Sequence, residues 1–247
     1  MSNTKINHVV AETITLATAG KLTMATPAPA GAIGVEFYGT GASTPTWQLC
    51  PILRHFWWYD DSAGTYTNGT AELTDRTSTL ALNSLEATVD FLYIGCDEQF
   101  RGVFINITNT NSTASTDLAA TYWDGSAWTG LTETDNTAAA GVSFGQDGNV
   151  VWTMPTDWAK TSVNGVQNLY WVRFSFDASF DATVSVADLT PLSVQTNRPS
   201  SPASTPPLPR YFFDRGSVGG IEATGDNADT LVVTWFCATV FSTATAE

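Results

Sequence analysis

The chain has 247 residues, 43% of them hydrophobic and 12% aromatic. That is enough apolar matter for one large domain or two small ones, and it excludes global disorder. The net charge of −14, with lysine only at positions 5, 21 and 160, argues against a nucleic-acid backbone or an anionic membrane as partner.

Charged residues make up only 14%, so the surface must be built largely from Thr, Ser, Asn and Gly. No apolar run approaches the ~18 residues of a membrane span. Met1–Lys5 lacks a basic segment leading into an apolar one, so no secretory leader is expected. Cys50, Cys96 and Cys237 are an odd set without CxxC spacing, each in an apolar or strand-like setting. They are expected to be buried free thiols, in keeping with synthesis in a reducing cytoplasm.

In chain order, Val9-Val10, Thr13–Leu16 and Leu22–Met24 read as one or two strands, followed by a Pro-rich break at 27–31. Ile33–Tyr38 is a strand with Val35 and Phe37 on one face. Trp47–Tyr59 is the most aromatic stretch and leans to strand. Residues 60–69 form a polar turn, and 79–85 a short strand or helical turn. From residue 88 the strands become regular: Val89–Ile94, Gly102–Ile107, Leu118–Tyr122, Ala127–Leu131, Val142–Phe144, Asn149–Thr153, Leu169–Phe176 and Thr183–Leu189. In Leu169–Phe176 the alternation puts Tyr170, Val172, Phe174 and Phe176 on one face, with Trp171 and Arg173 on the other.

These strands predict an all-β chain with very little helix: an antiparallel β-sandwich or jelly-roll-like module at 85–195. An N-terminal β region at 1–84 is expected to pack with 205–247. A Pro-rich linker occupies 196–209, and C-terminal strands occupy 210–247. Leu231–Phe236 is almost continuously apolar and is expected to be buried on both faces. It must pair with the N-terminal strands or with a neighbouring subunit.

Thr121-Tyr122-Trp123-Asp124-Gly125-Ser126-Ala127-Trp128 places Asp-Gly between two aromatic runs. This predicts a two-residue hairpin turn that brings Tyr122 and Ala127 into register. Asn164-Gly165 offers a second such turn, and Thr156-Asp157-Trp158 a single helical turn. This ordered set, continued by Tyr170-Trp171-Val172-Arg173, resembles a module found in virion proteins of tailed phages. In that family a YWNGSAW hairpin is followed by a P-x-D-W turn, an NG loop and a YWVR strand. Asp90–Gly95 and Phe100-Arg101-Gly102 match what precedes the hairpin there. The resemblance spans roughly residues 88–190 and implies a β-sandwich worn on a particle surface, as head decoration or as part of a tail or fibre.

Chemistry is sparse. His8 and His55 are the two histidines, without HxxxH spacing, and neither a GxSxG elbow nor a phosphate-binding loop occurs. The carboxylate pairs Asp60-Asp61, Asp97-Glu98, Glu133 with Asp135 and Asp226 with Asp229 could serve glycosidic acid–base work only at the right separation. Solvated loops are the plainer reading. No enzyme, cofactor, metal or catalytic residue is therefore expected.

Most tryptophans alternate with apolar residues and read as core. Trp128 and Trp158 adjoin turns and are candidates for partly exposed rings. With Arg210, Tyr211 and Phe212 they make up the candidate interaction surface. Together with the resemblance, these features lead to an expected virion protein on the capsid exterior, made in the bacterial host cytoplasm. Its expected role is that of a trimeric decoration (cement) protein bridging major capsid protein subunits. The alternative is a tail-fibre or baseplate module that binds a glycan or receptor.

Overall fold

A computed structural model describes all residues except 1–5, 17–22, 41–44, 76, 84, 114, 182–183, 195–197, 200–209, 215, 226–228 and 239–247. The first quarter of the chain forms β1 (Ile6–Thr15), β2 (Thr23–Pro27), β3 (Ala32–Thr40), β4 (Thr46–Cys50) and β5 (Leu53–Asp60). After β6 (Thr65–Asn68), the short helix α1 (Thr70–Thr74) and β7 (Leu80–Ala81) come β8 (Phe91–Cys96), β9 (Gly102–Asn109) and β10 (Leu118–Trp123). Then follow β11 (Trp128–Gly130), β12 (Glu133–Asp135), β13 (Gly148–Trp152), β14 (Lys160–Val163), β15 (Val166–Phe176) and β16 (Ser185–Leu192). The chain closes with β17 (Arg198–Pro199), β18 (Arg210–Phe212), β19 (Gly220–Thr224) and β20 (Thr230–Ala238).

The strands make four antiparallel sheets. A seven-stranded sheet has the order β11-β10-β15-β8-β5-β6, with β14 also pairing β15. A five-stranded sheet has the order β12-β13-β9-β16-β7. Between them lies the main core, where Val172, Phe174 and Phe176 of β15 meet Val103, Ile105 and Ile107 of β9. The period-2 alternation of β15 produces this directly, and the same period sends Trp171 and Arg173 to the outer side.

The two ends of the chain build a second sandwich. Its outer sheet has the order β1-β20-β3-β18, and its inner sheet β17-β4-β19-β2. Val35, Phe37, Trp47, Ile221, Val233 and Trp235 fill the space between them. The inner terminal sheet then packs on the five-stranded sheet through Ala25, Phe104 and Leu192. The molecule is thus a four-layer stack: outer terminal, inner terminal, five-stranded and seven-stranded sheets.

The all-β class and the antiparallel sandwich agree with the sequence reading, but several details differ. The N-terminal region does not extend to residue 84. Pro51-Ile52 separate β4 from β5, and β5 pairs with β8 of the main sandwich, so the modules meet near residue 52. Val142–Phe144 is not a strand: Val142 alone makes isolated bridges, to Thr116 and Ala139, and the next two residues turn. β20 lies between β1 and β3 of the same chain, and its Leu231, Val233, Trp235 and Cys237 are buried while Val232, Thr234 and Phe236 are half-buried. Its apolar run therefore hides one buried face, not two. Of the expected linker at 196–209, only Arg198–Pro199 are described, paired with β4; the rest lies outside the described residues.

Asn164 (φ 46°) and Gly165 (φ 80°) form the two-residue hairpin expected there, with Val163 opposite Val166. The Asp124-Gly125 hairpin is wider than expected. Trp123 pairs with Trp128 and Tyr122 with Thr129, leaving four loop residues of which Gly125 (φ 102°) takes the left-handed region. The physical reason is the Asp124 carboxylate. It accepts hydrogen bonds from the backbone N–H groups of Ser126 and Ala127 and from the Ser126 and Thr129 hydroxyls, each at 2.8 Å. An aspartate that caps the next turn in this way competes with the tighter type I′ geometry. These bonds hold its carboxyl well below the usual range, the Ala127 N–H contributing most.

Candidate functional site

The stack presents an unpaired sheet face at each end, and both faces are aromatic. On the seven-stranded sheet, Asn68, Trp57, Tyr93, Arg173, Thr121 and Gly130 are successive cross-strand partners. This row crosses six strands, a span of about 24 Å at ~4.8 Å per step. Tyr59, Tyr66, Phe91 and Trp128 flank it, packed on a buried base of Tyr93, Val163, Leu169 and Trp171. Trp171 lies flat over Gly95, where a Cβ would sit 2.6 Å from the indole. Its Nε1 donates to the Thr161 carbonyl at 3.2 Å, which locks the ring as a floor.

Arg173 is the cation of this face. Its guanidinium carbon lies 4.2 Å from the Phe91 ring centroid and 4.9 Å from that of Trp128. Its Nε donates to the Thr121 hydroxyl at 3.2 Å. No Asp or Glu forms an ion pair with it among the described residues. Burial pushes the Tyr93 phenol up, and the neighbouring Arg173 partly offsets that rise. His55 stacks on Trp57 at 5.7 Å and 11°, so it takes part in the face as a ring.

At the other end, the outer terminal sheet turns Arg210 and Phe212 of β18 outward beside Phe236 of β20. Phe212 is 63% exposed and Val9 of β1 is 53% exposed. The Phe212 ring covers Gly34, where a Cβ would lie 2.7 Å from it, and sits 6.1 Å from the Phe236 ring. Arg210 lies over Phe236 at 5.3 Å and pairs with Glu36 at 2.6 Å. Tyr211 points the other way, stacking on Phe37 inside the terminal core at 5.4 Å and 9°.

The five residues singled out from sequence therefore do not form one surface. Trp128 belongs to the seven-stranded face, Arg210 and Phe212 to the opposite end, and Tyr211 lines a core. Trp158, expected to be partly exposed, is 5% exposed. It sits in the main core against Phe100 at 5.1 Å and Tyr170 at 5.7 Å. The expected helical turn at 156–160 is a pair of bends instead. Asp157 anchors it by accepting the Tyr122 hydroxyl at 2.8 Å, and Ala159 N–H donates to the Trp123 carbonyl. The hairpin and the Asp-Trp turn are thus two halves of one interlock, with the indole driven inward. Sequence reading missed the partners of Trp128: Trp57, Tyr59, Tyr66, Phe91, Tyr93 and Arg173. Each lies in an alternating strand, but alternation alone does not say which aromatic face is covered.

Several of the carboxylates singled out as acid–base candidates have local partners. Asp60 accepts from the Ala63 N–H and from Ser62 Oγ at the β5–β6 turn, which holds its carboxyl below the usual range. Asp97 pairs with Arg54. Asp135 accepts from Thr137 and Ser143. Asp229 is buried, and Asp226 lies outside the described residues. Burial pushes Glu133 up. All three cysteines are buried thiols outside any disulfide, and burial raises the Cys50 and Cys96 thiols. The side chain of His8 lies outside those described.

The junction between the modules holds an ion pair. Glu222 of β19 is 0% exposed and accepts from Arg101 Nη2 at 2.6 Å, Arg101 itself being 28% exposed. Burial pushes the Glu222 carboxyl up, and Arg101 opposes that rise. Beside it, Leu49, Cys50, Arg54, Asp97 and Ser193 line a cleft of about 380 Å³.

Comparison with protein-family models and with curated proteins finds no match for this chain.

Proposed function

We propose that this chain is a structural, non-enzymatic protein of a tailed-phage virion. In this reading it is a trimeric capsid decoration protein that bridges major capsid protein subunits on the outside of the head. The observation that carries the interaction part is the outward face of the outer terminal sheet. It leaves Phe212 63% and Val9 53% exposed, next to Phe236 and Arg210. Exposed apolar side chains gathered on one sheet face mark a protein–protein surface. The virion part rests on the resemblance of residues 88–190 to tailed-phage modules, which implies a jelly-roll-like sandwich. In this reading the terminal module sits on the shell and the seven-stranded sheet faces solvent. Many equivalent weak contacts would then hold the decoration in place by multivalency.

The test is retention on heads of the phage that carries the protein, stripped of it and then resupplied. Phe212→Lys puts a charge where the face should meet the shell, at a side chain that contributes little to the fold. Head occupancy at a fixed protein concentration should fall at least tenfold while the melting temperature stays unchanged. Undiminished occupancy would remove this face from the interface. The second reading, a tail-fibre or baseplate module for a glycan or receptor, is favoured by the aromatic face around Arg173.

A further inference from the structure

We infer that the outward face of the seven-stranded sheet is a platform for an acidic oligosaccharide, its rings stacking on the aromatic side chains and a sugar carboxylate pairing with Arg173. The inference goes beyond the decoration role and holds whether the chain sits on head or tail.

Three features of the face lead there. First, its rings carry polar rims: the phenols of Tyr59 and Tyr66 and the indole of Trp128, all partly exposed, stand where an aliphatic protein interface would place Leu or Ile. A sugar ring has the matching pattern, an apolar C–H face bordered by hydroxyls. Second, the row from Asn68 to Gly130 follows hydrogen-bonded partners straight across the sheet, so the platform is elongated, as a linear oligosaccharide is. Third, the charge is specific. In a chain of net charge −14, Arg173 stands between Phe91 and Trp128 without an ion-pairing carboxylate among the described residues. The rings and Thr121 fix the guanidinium plane in advance, so little order is lost when its fork meets a planar carboxylate. A neutral sugar would leave that fork unused, and an anionic polymer without stacking faces would leave the rings unused.

The probes are uronic-acid tetrasaccharides of gluco and galacto configuration, each beside its fully methyl-esterified form, titrated into the full-length protein and followed by calorimetry and tryptophan fluorescence. Esterification keeps the rings and removes the charge. At least one acid should bind, and its ester about tenfold more weakly, the usual worth of one charge-assisted contact. Arg173→Gln should bring the acid down to the level of the ester and leave the ester unchanged. Arg173→Lys should restore part of the preference for acid, which separates loss of charge from loosening of the face. Trp57→Ala should weaken acid and ester alike. Equal binding of acid and ester, a preference that survives Arg173→Gln, or no binding of any probe at millimolar concentration would overturn the inference. Phe212→Lys should leave oligosaccharide binding intact, so failure of this site and failure of the head-docking face are read separately.

Discussion

Arg101→Met is expected to lower the stability of the junction by about 3 kcal/mol at neutral pH, because it strands the carboxylate of Glu222 in the interior. The loss should depend on pH in a defined sense. Burial already raises the folded-state pKa of Glu222 above the ordinary carboxylate value of 4.5. A carboxyl with a raised pKa binds its proton more tightly in the folded chain, so it contributes stability below its unfolded pKa. That contribution is lost as pH rises through the folded value. Removing Arg101 takes away the charge that holds the pKa down, so this window extends upward. Urea unfolding should therefore show a small deficit at acid pH that grows toward neutrality. Arg101→Met with Glu222→Gln should regain most of the loss and flatten the pH dependence. A deficit that is independent of pH, or largest in acid, would contradict the assignment.

Trp235→Ala is expected to cost about 4 kcal/mol, the range for removing a fully buried tryptophan. Trp235 sits at the centre of β20, faces Phe213 at 6.5 Å, and donates its Nε1 to Glu12. Its core is made wholly from residues near the two chain ends, whereas the main core is made from residues 53–189. The variant should unfold in calorimetry in two steps, with the terminal module melting first and the main sandwich near the parent temperature. One cooperative transition displaced as a whole would show the stack to be a single folding unit.

The strands of the main sandwich were legible because their alternation is local: Val172, Phe174 and Phe176 declare an inward face within one segment. What stayed hidden depended on distant partners. The stretch 47–59 reads as one aromatic run, yet its two halves belong to different modules, because Pro51 ends the ladder of β4. β19 was missed because Glu222 interrupts an otherwise apolar strand. Its burial makes sense only with Arg101, distant in sequence, supplying the opposite charge. Trp158 looked exposed beside its turn, but the bond from Tyr122 to Asp157 rotates that turn so that the indole enters the core. The aromatic platform was invisible for a related reason. Trp57-Trp58 and Tyr170-Trp171 put large rings on both sides of a strand, so the pattern marks neither side as outward.

The decisive measurement is an asymmetric map of the intact virion at a resolution that traces strands. Trimers of this chain are expected at local threefold or quasi-threefold positions of the head, with Phe212 and Val9 against the shell and Arg173 toward solvent. Density for the chain at the tail tip alone, or on the head with the seven-stranded sheet against the shell, would contradict this placement.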